Sequence, residues 1–188
     1  EWAPRALANE LYGAADYARL SGQLYGFLPL HSSAPEKPGG IGVYAGGFIG
    51  ADLVGGDRIP AHIRQSFGGI SVRPGLGGSV RGLETGRFDA TFKLAANAEL
   101  RTILPGLFDG RVLPGVVVHS DFGYYDDREE LSPSGEEHTG IALSSGLGLS
   151  VTAVDVATIV LYTHYLWTDT LVTGGSWQPV GIGFGFHF

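Results

Sequence analysis

The last stretch of the sequence, residues 180–188, restricts the possible folds more than any other part of the chain. Large apolar residues occupy every second position of this stretch, namely Val180, Ile182, Phe184, Phe186 and Phe188. Glycine or histidine occupies the positions between them. Because successive side chains of a β-strand point to opposite faces, one face of a strand here is wholly apolar and the other is almost bare. Such an apolar face has to cover a protein core or contact membrane lipid.

The composition argues against several other classes of protein. No apolar run in the 188 residues approaches the roughly 20 residues that a transmembrane helix needs. The net charge of -7 argues against nucleic-acid binding, and the absence of cysteine removes disulfides and Cys-ligated metals. The 31 glycines disfavour helices and suit crowded strands. The chain begins at Glu1 with no visible signal peptide, so we expect an exported protein whose signal has been removed.

Two regions differ in their periodicity. Residues 1–15 contain Pro4 followed by good helix formers, which predicts a short helix or a lead-in segment ahead of the strands. From residue 16 the apolar residues recur with period two, which predicts an all-β domain over residues 16–188. We predict eight strands: 17–30, 40–53, 66–82, 87–104, 111–125, 139–154, 156–170 and 177–188. Splitting the region 66–104 differently would give ten strands.

The strands 139–154 and 177–188 decide whether lipid or water lies outside the predicted sheet. Their non-apolar faces carry almost only Gly, Ala and Ser. The surface of a soluble barrel would carry Lys, Glu, Thr and Gln at those positions. The narrow interior of an eight-stranded barrel instead needs small residues opposite large ones. We therefore predict a closed antiparallel up-and-down transmembrane β-barrel of about eight strands, in which strand 177–188 pairs with strand 17–30.

Residues 180–188 resemble the C-terminal strand of the small bacterial outer-membrane β-barrel proteins, which typically ends in Phe after alternating aromatic residues. The resemblance implies a location in the outer membrane of a Gram-negative bacterium. It also implies contact with lipid and lipopolysaccharide, and recognition of the last strand by the outer-membrane insertion machinery. Barrels of this size have many roles. We expect a structural or surface-interaction protein, with a narrow porin-like channel for small solutes as the alternative.

The predicted strand order also gives an orientation. An even number of strands puts both chain ends on the periplasmic side and the connections 31–40, 82–87, 126–138 and 171–176 outside. The turns 54–65 and 105–110, and the turn near Asp155, then lie on the periplasmic side. Aromatic residues gather at both predicted rims, as membrane barrels require. These aromatic girdles comprise Phe122, Tyr124, Tyr165 and Trp167 at the outer rim, and Phe184, Phe186 and Phe188 at the periplasmic rim.

Charged residues on the other faces of the strands point into the predicted lumen. The predicted lumen charge network comprises Arg19, Arg73, Arg81, Asp89, Lys93, Glu99, Arg101, His119 and Asp121. An unpaired buried charge costs several kcal/mol, so we expect these groups to pair and to fill the lumen. An open, slightly basic pore is the alternative.

Two further sets of residues are weak candidates for chemistry. His119 and Asp121 point into the predicted lumen from one strand, and His164 points into it from a later strand. A His–Asp pair is half of a nucleophilic triad, but Ser120, between the two, points to lipid. The lipid A deacylases use His and Ser two residues apart near the C-terminal end, whereas His-x-Ser here occurs only at His31–Ser33. Residues 1–15 resemble the N-terminal helix of the lipid A palmitoyltransferase, whose catalytic residues have no counterparts here. We therefore expect no enzyme, with a lipid A deacylase or acyltransferase as the alternative.

The acidic stretch 126–138 is the other weak candidate. Its possible ligands for Ca²⁺ or Mg²⁺ are Asp126, Asp127, Glu129 and Glu130. Their spacing does not match an EF-hand loop. We therefore expect a solvated loop, and neither a metal nor a cofactor.

Overall fold

The structure is a computed structural model that describes residues 2–3, 16–35, 37, 39–60, 63, 80–82, 90–127, 138–153, 157–168 and 176–186. The elements of these residues are β-strands: β1 (Trp2–Ala3), β2 (Asp16–Ser32), β3 (Gly42–Arg58), β4 (Ala90–Ile103), β5 (Val112–Asp127), β6 (His138–Ala153), β7 (Ala157–Thr168) and β8 (Ser176–Phe186). In this part of the chain there is no helix long and apolar enough to cross a membrane.

Each strand pairs antiparallel with the next, in the order β1 to β8. The prediction of an all-β, antiparallel, up-and-down sheet is confirmed, and seven predicted segments correspond to the long strands β2 to β8. Among the described residues no ladder joins β8 to β1 or β2, so the sheet is open there. Of the predicted N-terminal segment, Trp2–Ala3 forms strand β1 on the edge of β2, and residues 4–15 lie outside the described part.

The predicted third strand, 66–82, is wrong in its position. Strand β3 pairs directly with β4 from Gly42↔Ile103 to Leu53↔Phe92, which leaves no place for a strand between them. Residues 80–82 form a bend and a turn, and residues 66–79 lie outside the described part. The physical reason is that Val80 and Arg81 are held by side chains of the sheet, since Val80 is fully buried and Arg81 forms ion pairs. Alternation along a segment therefore does not by itself place that segment between its sequence neighbours in the sheet.

The loss of that strand changes which connections share an end of the sheet. The strand ends joined by the connections 33–41, 104–111 and 154–156 lie at one end of the sheet, which we name the turn end. The strand ends joined by the connections 59–89, 128–137 and 169–175 lie at the other, the loop end. Gly106 N–H donates to Pro35 C=O at 2.9 Å across the turn end. The predicted separation of 31–40 from 105–110 is therefore wrong. The predicted separation of the turn 54–65 from 126–138 is wrong as well, because β3 extends to Arg58 and ends at the loop end, where β5 also ends.

The directions of the strands also correct the predicted closure. Strands β2 and β8 both run from the loop end to the turn end, because an even number of antiparallel steps separates them. An antiparallel pair between residues 17–30 and 177–188 is therefore impossible. For the same reason the start of β2 and the end of β8 lie at opposite ends of the sheet, rather than at one periplasmic end as predicted.

The two faces of the sheet have opposite character. The face that we name the inner face is buried and carries both charged groups and the largest hydrophobic cluster, formed by Val80, Ala90, Ala95, Tyr125, Ala142 and Leu166. The outer face is exposed and apolar, with Leu20, Leu24, Leu28, Ile49, Leu53, Leu100, Leu147, Leu149, Leu161 and Ile182. This arrangement brings ionisable side chains together on the buried side.

Candidate functional site

Asp52 on β3 is the centre of one buried ionic cluster. Arg19 donates from Nε to Oδ1 of Asp52 at 2.7 Å and from Nη2 to Oδ2 at 2.9 Å, and Ser21 donates to Oδ1 at 2.7 Å. Lys93 Nζ lies 3.3 Å from Asp52 Oδ2 and donates to Ile63 C=O at 2.8 Å. We name Arg19, Ser21, Asp52 and Lys93 the Asp52 cluster. Because Asp52 and Lys93 are fully buried, these charges depend on one another instead of water.

Arg81 organises a second cluster nearer the middle of β4 and β5. Its Nε and Nη2 donate to the two carboxylate oxygens of Asp121 at 2.8 Å and 2.7 Å, and its backbone N–H donates to Oδ2 at 2.9 Å. Its Nη1 donates to Glu99 at 2.5 Å, and Arg101 Nε donates to the other oxygen of Glu99 at 2.7 Å. Two guanidinium groups and two carboxylates balance in charge. We name Arg81, Glu99, Arg101 and Asp121 the Arg81 cluster.

The turn at residues 80–82 holds Arg81 against three strands. Gly82 has a φ of 93°, which glycine adopts without steric cost. The guanidinium lies over the ring of Tyr162 on β7, 5.3 Å from the ring centroid. Strands β4 and β7 would be about 14 Å apart in a flat sheet, yet Arg81 contacts Glu99 on one and Tyr162 on the other. The sheet therefore curves around this side chain.

The ionisation of Arg81 is strongly stabilised. Burial by itself lowers the pKa of a guanidinium, because it penalises the charged form. The hydrogen bonds and negative charge of Asp121, followed by those of Glu99, outweigh burial and raise the pKa of Arg81 above its ordinary value. Arg81 therefore remains a fixed positive charge inside the sheet.

Glycines on the inner face make room for large side chains of neighbouring strands. A Cβ atom at Gly46 would lie 2.8 Å from Cε1 of Phe27. A Cβ atom at Gly146 would lie 2.8 Å from Nε2 of His119, and both contacts are closer than packed side chains allow. Small residues of the strand 139–154 do face large ones, as its bare face predicts.

The predicted lumen charge network divides between these clusters. Arg19 and Lys93 belong to the Asp52 cluster, and Arg81, Glu99, Arg101 and Asp121 form the Arg81 cluster. His119 adjoins Asp121, whereas Arg73 and Asp89 lie outside the described residues. Sequence reasoning did not single out the polar partners Ser21, Ser144 and Tyr162. The sequence could have indicated them, because each lies an even number of positions along its strand from another inner-face residue and therefore shares its face.

His119, Asp121 and His164 lie close together but lack the geometry of a catalytic triad. His119 Nδ1 is 3.5 Å from Asp121 Oδ2, and the ring centroids of His119 and His164 are 6.0 Å apart. A triad needs a nucleophile within hydrogen-bond reach of the histidine. His119 Nε2 has no hydrogen-bond partner among the described residues. Ser144 donates to Asp121 at 3.4 Å, and Ser120 is exposed on the outer face.

Asp126, a weak candidate for cation binding and the first residue of the predicted solvated loop, instead belongs to strand β5 and bonds residues of β4. Its carboxylate accepts hydrogen bonds from the Thr91 hydroxyl at 2.7 Å and from the Phe92 backbone N–H. These bonds lie where the β4–β5 register shifts between Ala90 and Lys93. The side chains of Asp127, Glu129 and Glu130 lie outside the described part, and the described residues contain no group of three or more potential metal ligands from His, Cys, Asp and Glu.

Aromatic residues of the predicted outer girdle cluster on the outer face toward the loop end. The ring centroid of Tyr165 lies 4.8 Å from that of Trp167 and 6.1 Å from that of Trp177. Trp167 Nε1 donates to Ser145 Oγ at 2.7 Å. The girdle residues Phe122 and Tyr124 are half-buried on β5, and the ring centroid of Tyr124 lies 6.0 Å from that of Phe92.

The predicted periplasmic girdle falls at the other end of the sheet. The backbones of Phe184 and Phe186 pair with Ile159 and Ala157 near the turn end. Their side chains, and all of Phe188, lie outside the described part.

Comparison with known proteins adds no family to these observations. No family model, no curated protein and no solved structure matches the chain. The functional argument therefore rests on the geometry and chemistry of the chain itself.

Proposed function

We propose that this chain is an integral β-barrel of a bacterial outer membrane whose lumen is filled by its own side chains, and that it acts as a structural or surface-interaction protein. The observation that carries the proposal is the inverted distribution of polarity. Asp52 and Lys93 are 0% exposed on the inner face, while Leu24 is 71% and Leu149 65% exposed on the outer face. A soluble barrel has the opposite arrangement.

The outer face supports contact with lipid. Its exposed leucines, isoleucines and valines extend over β2 to β8 with few polar residues between them. Soluble monomers rarely expose contiguous apolar patches beyond a few hundred Å². Tyr165, Trp167 and Trp177 at one rim match the aromatic girdle that such barrels place at the membrane interface.

The inner face supports a filled lumen. The Arg81 cluster joins the turn at residues 80–82 to β4 and β5, and the cation–π contact of Arg81 extends it to β7. Lys93 and the backbone of Ile63 connect the Asp52 cluster to the same β3–β4 connection. The paired charges and residues 80–82 on the inner face support an interior without an open channel.

The ends of the sheet support an orientation. Outer-membrane barrels have short periplasmic turns and longer outer loops. The turn end has the shorter connections on average and the end of β8, whereas the loop end has the connections 59–89, 128–137 and 169–175. The turn end then faces the periplasm, where the insertion machinery would meet the last strand. The loop end faces lipopolysaccharide.

Refolding tests membrane insertion directly. The urea-unfolded chain should refold in detergent micelles or lipid vesicles to a form that migrates differently on gels before and after heating. It should aggregate when diluted into buffer alone. A water-soluble, detergent-independent monomer would disprove the membrane proposal.

Planar bilayers test whether the lumen is filled. The refolded chain should insert without discrete conductance steps. Reproducible openings that change in Arg101→Ala or Glu99→Gln would show a narrow channel instead. A change in lipid A mass caused by the chain would show an enzyme.

A further inference from the structure

The long edge of β2 is the least covered part of the described sheet. Tyr25 and Phe27 share the inner face with Phe48 and Glu99, as their ladder partners and the contact of Arg101 with Phe27 indicate. They are nevertheless 75% and 62% exposed. Inner-face residues of β3 to β7 are buried or half-buried between strands on both sides, whereas among the described residues β2 has a long neighbour only in β3. The interior is thus open sideways along this edge.

The directions of the strands specify what fits the opening. Strands β2 and β8 are parallel to each other, so one strand between them would be antiparallel to both. Strand β1 already has that direction and lies on the edge of β2, with Trp2 opposite Ala18 and Ala3 opposite Tyr17. The contacts of Arg81 with β4, β5 and β7 show that the sheet curves, which brings its two edges toward each other.

We propose that a single extended strand of this chain binds in the opening between β2 and β8, and that β1 is the part of this strand that the structure describes. The strand lies in line with Trp2–Ala3 and runs antiparallel to both edges. Its chemistry follows from its neighbours: large apolar residues on the outer face, beside Leu24 and Leu28, alternate with small or polar residues on the inner face, beside Tyr25 and Phe27. This strand completes the barrel that the proposed function requires.

A second copy of the chain fits the opening less well. Two β2 edges can pair antiparallel about a twofold axis, but β1 already occupies the positions opposite Tyr17 and Ala18. Such a dimer would also leave the edge of β8 unpaired. Exposed edges of this length promote aggregation.

Disulfide scanning tests the position of β1. The chain has no cysteine of its own, so any intramolecular disulfide must join the two introduced cysteines. Ala3→Cys is combined in turn with Trp177→Cys, Gln178→Cys, Pro179→Cys, Val180→Cys or Gly181→Cys, and Ala18→Cys is combined with the same set as the matched control. A disulfide needs Cα atoms about 4.4–6.8 Å apart, whereas two strands separated by a third are about 10 Å apart. At least one Ala3 pair should form an intramolecular disulfide, and no Ala18 pair should.

Three outcomes of the scan would overturn the proposal. Disulfides from Ala18→Cys would make β2 and β8 direct neighbours. Disulfide-linked dimers would make the occupant a second copy. No disulfide from any folded Ala3 pair would separate β1 from β8. Adjacency of strands can be read whether or not the chain enters a membrane, so failure here and failure of the proposed function are distinguishable.

A strand fused to the start of the chain tests whether the edge of β2 beyond β1 binds a strand. An extension of about 11 residues that alternates leucine and serine, the length of a membrane-spanning strand, is fused before Glu1. A control extension carries proline at alternate positions, which cannot donate to a ladder. The first extension should slow amide hydrogen exchange at Leu20–Leu30 at least tenfold, and the control should not. Equal exchange with both extensions would overturn the proposal.

Discussion

Arg81 connects three strands on the inner face of the sheet. Its guanidinium bonds carboxylates of two neighbouring strands and contacts an aromatic ring of a third. Bidentate bonding to Asp121 fixes the direction of the side chain as well as its charge. Removal of Arg81 would leave the buried Asp121 carboxylate without its guanidinium partner, beside the His119 ring, whose Nδ1 lies 3.5 Å from Asp121 Oδ2. The stability of the interior should therefore depend on this one residue.

Arg81→Ala should lower the free energy of unfolding by about 3–5 kcal/mol, because it leaves buried charges without their partner. Urea unfolding in micelles, followed by tryptophan fluorescence, measures the change. Arg111→Ala is the matched control, since Arg111 is exposed in the turn before β5, and it should change stability by less than about 0.5 kcal/mol. Equal effects of the two changes would contradict a central role for Arg81.

Gly146→Ala tests the small residues of the inner face. Its Cβ would lie 2.8 Å from His119 Nε2 and would also crowd the Thr163 backbone, so we expect a loss of about 1–3 kcal/mol from overpacking. Gly22→Ala is the control, because no atom lies within 4 Å of a Cβ at that position. The same urea titration compares them. An unchanged midpoint for Gly146→Ala would show that the interior has more room than the structure indicates.

The two faces of strand β6 differ in polarity and in exposure. Leu147, Leu149 and Val151 are exposed on its outer face, while Ala142 and Ser144 are buried on its inner face. Alternation of this kind lets a single strand contact lipid and pack against polar groups. Substitutions on the two faces should therefore obey different rules.

In the proposed barrel Leu147→Arg should destabilise the chain in lipid vesicles by about 2–4 kcal/mol, because Leu147 is exposed near the middle of β6 and this is the cost of a charge on the lipid face near the bilayer midplane. Leu107→Arg, in the exposed turn between β4 and β5, should cost about 0–1 kcal/mol near the interface. Reversible urea unfolding from vesicles measures both changes. Similar tolerance of both arginines would indicate that β6 faces water.

The sequence predicts elements better where each has its own alternation. Strands β4 to β8 were predicted to within a few residues, because each alternates over its length and ends at turn residues. The segment 66–82 alternates as well, but Val80 and Arg81 satisfy their packing and charge against the sheet. The periodicity of a segment shows which residues share a face but not which residues of other strands they contact. For the same reason the sequence could assign these charged residues to one face of the sheet but could not divide them into two clusters.

At the scale of the whole molecule, the proposed orientation puts the turn end and the loop end of the sheet on opposite sides of the membrane. The turn end carries Leu107, and the loop end carries Asp57 near the end of β3. In the proposed orientation the turn end is periplasmic. Both residues are exposed, so a membrane-impermeant thiol reagent can distinguish the two ends.

Asp57→Cys should react with such a reagent in intact cells, whereas Leu107→Cys should react only after the outer membrane is permeabilised. The chain has no native cysteine, so background labelling comes only from other proteins. Labelled chain is quantified by mass after purification. The reverse pattern would invert the orientation, and equal labelling of both variants in intact cells would argue against an outer-membrane barrier between the ends.

The passage of residues 80–82 through the interior has a consequence for the order of assembly. Strands β4 to β8 pair in sequence through nearby contacts, which form quickly. The pairing of β3 with β4 instead spans the connection 59–89, and the closed loop has a larger entropic cost. Arg81 bonds Glu99 on β4 and Asp121 on β5, so the turn at residues 80–82 docks onto strands that can already have paired with each other. The hairpins β4 to β8 should therefore form first, and β2 and β3 should enclose the Arg81 turn last.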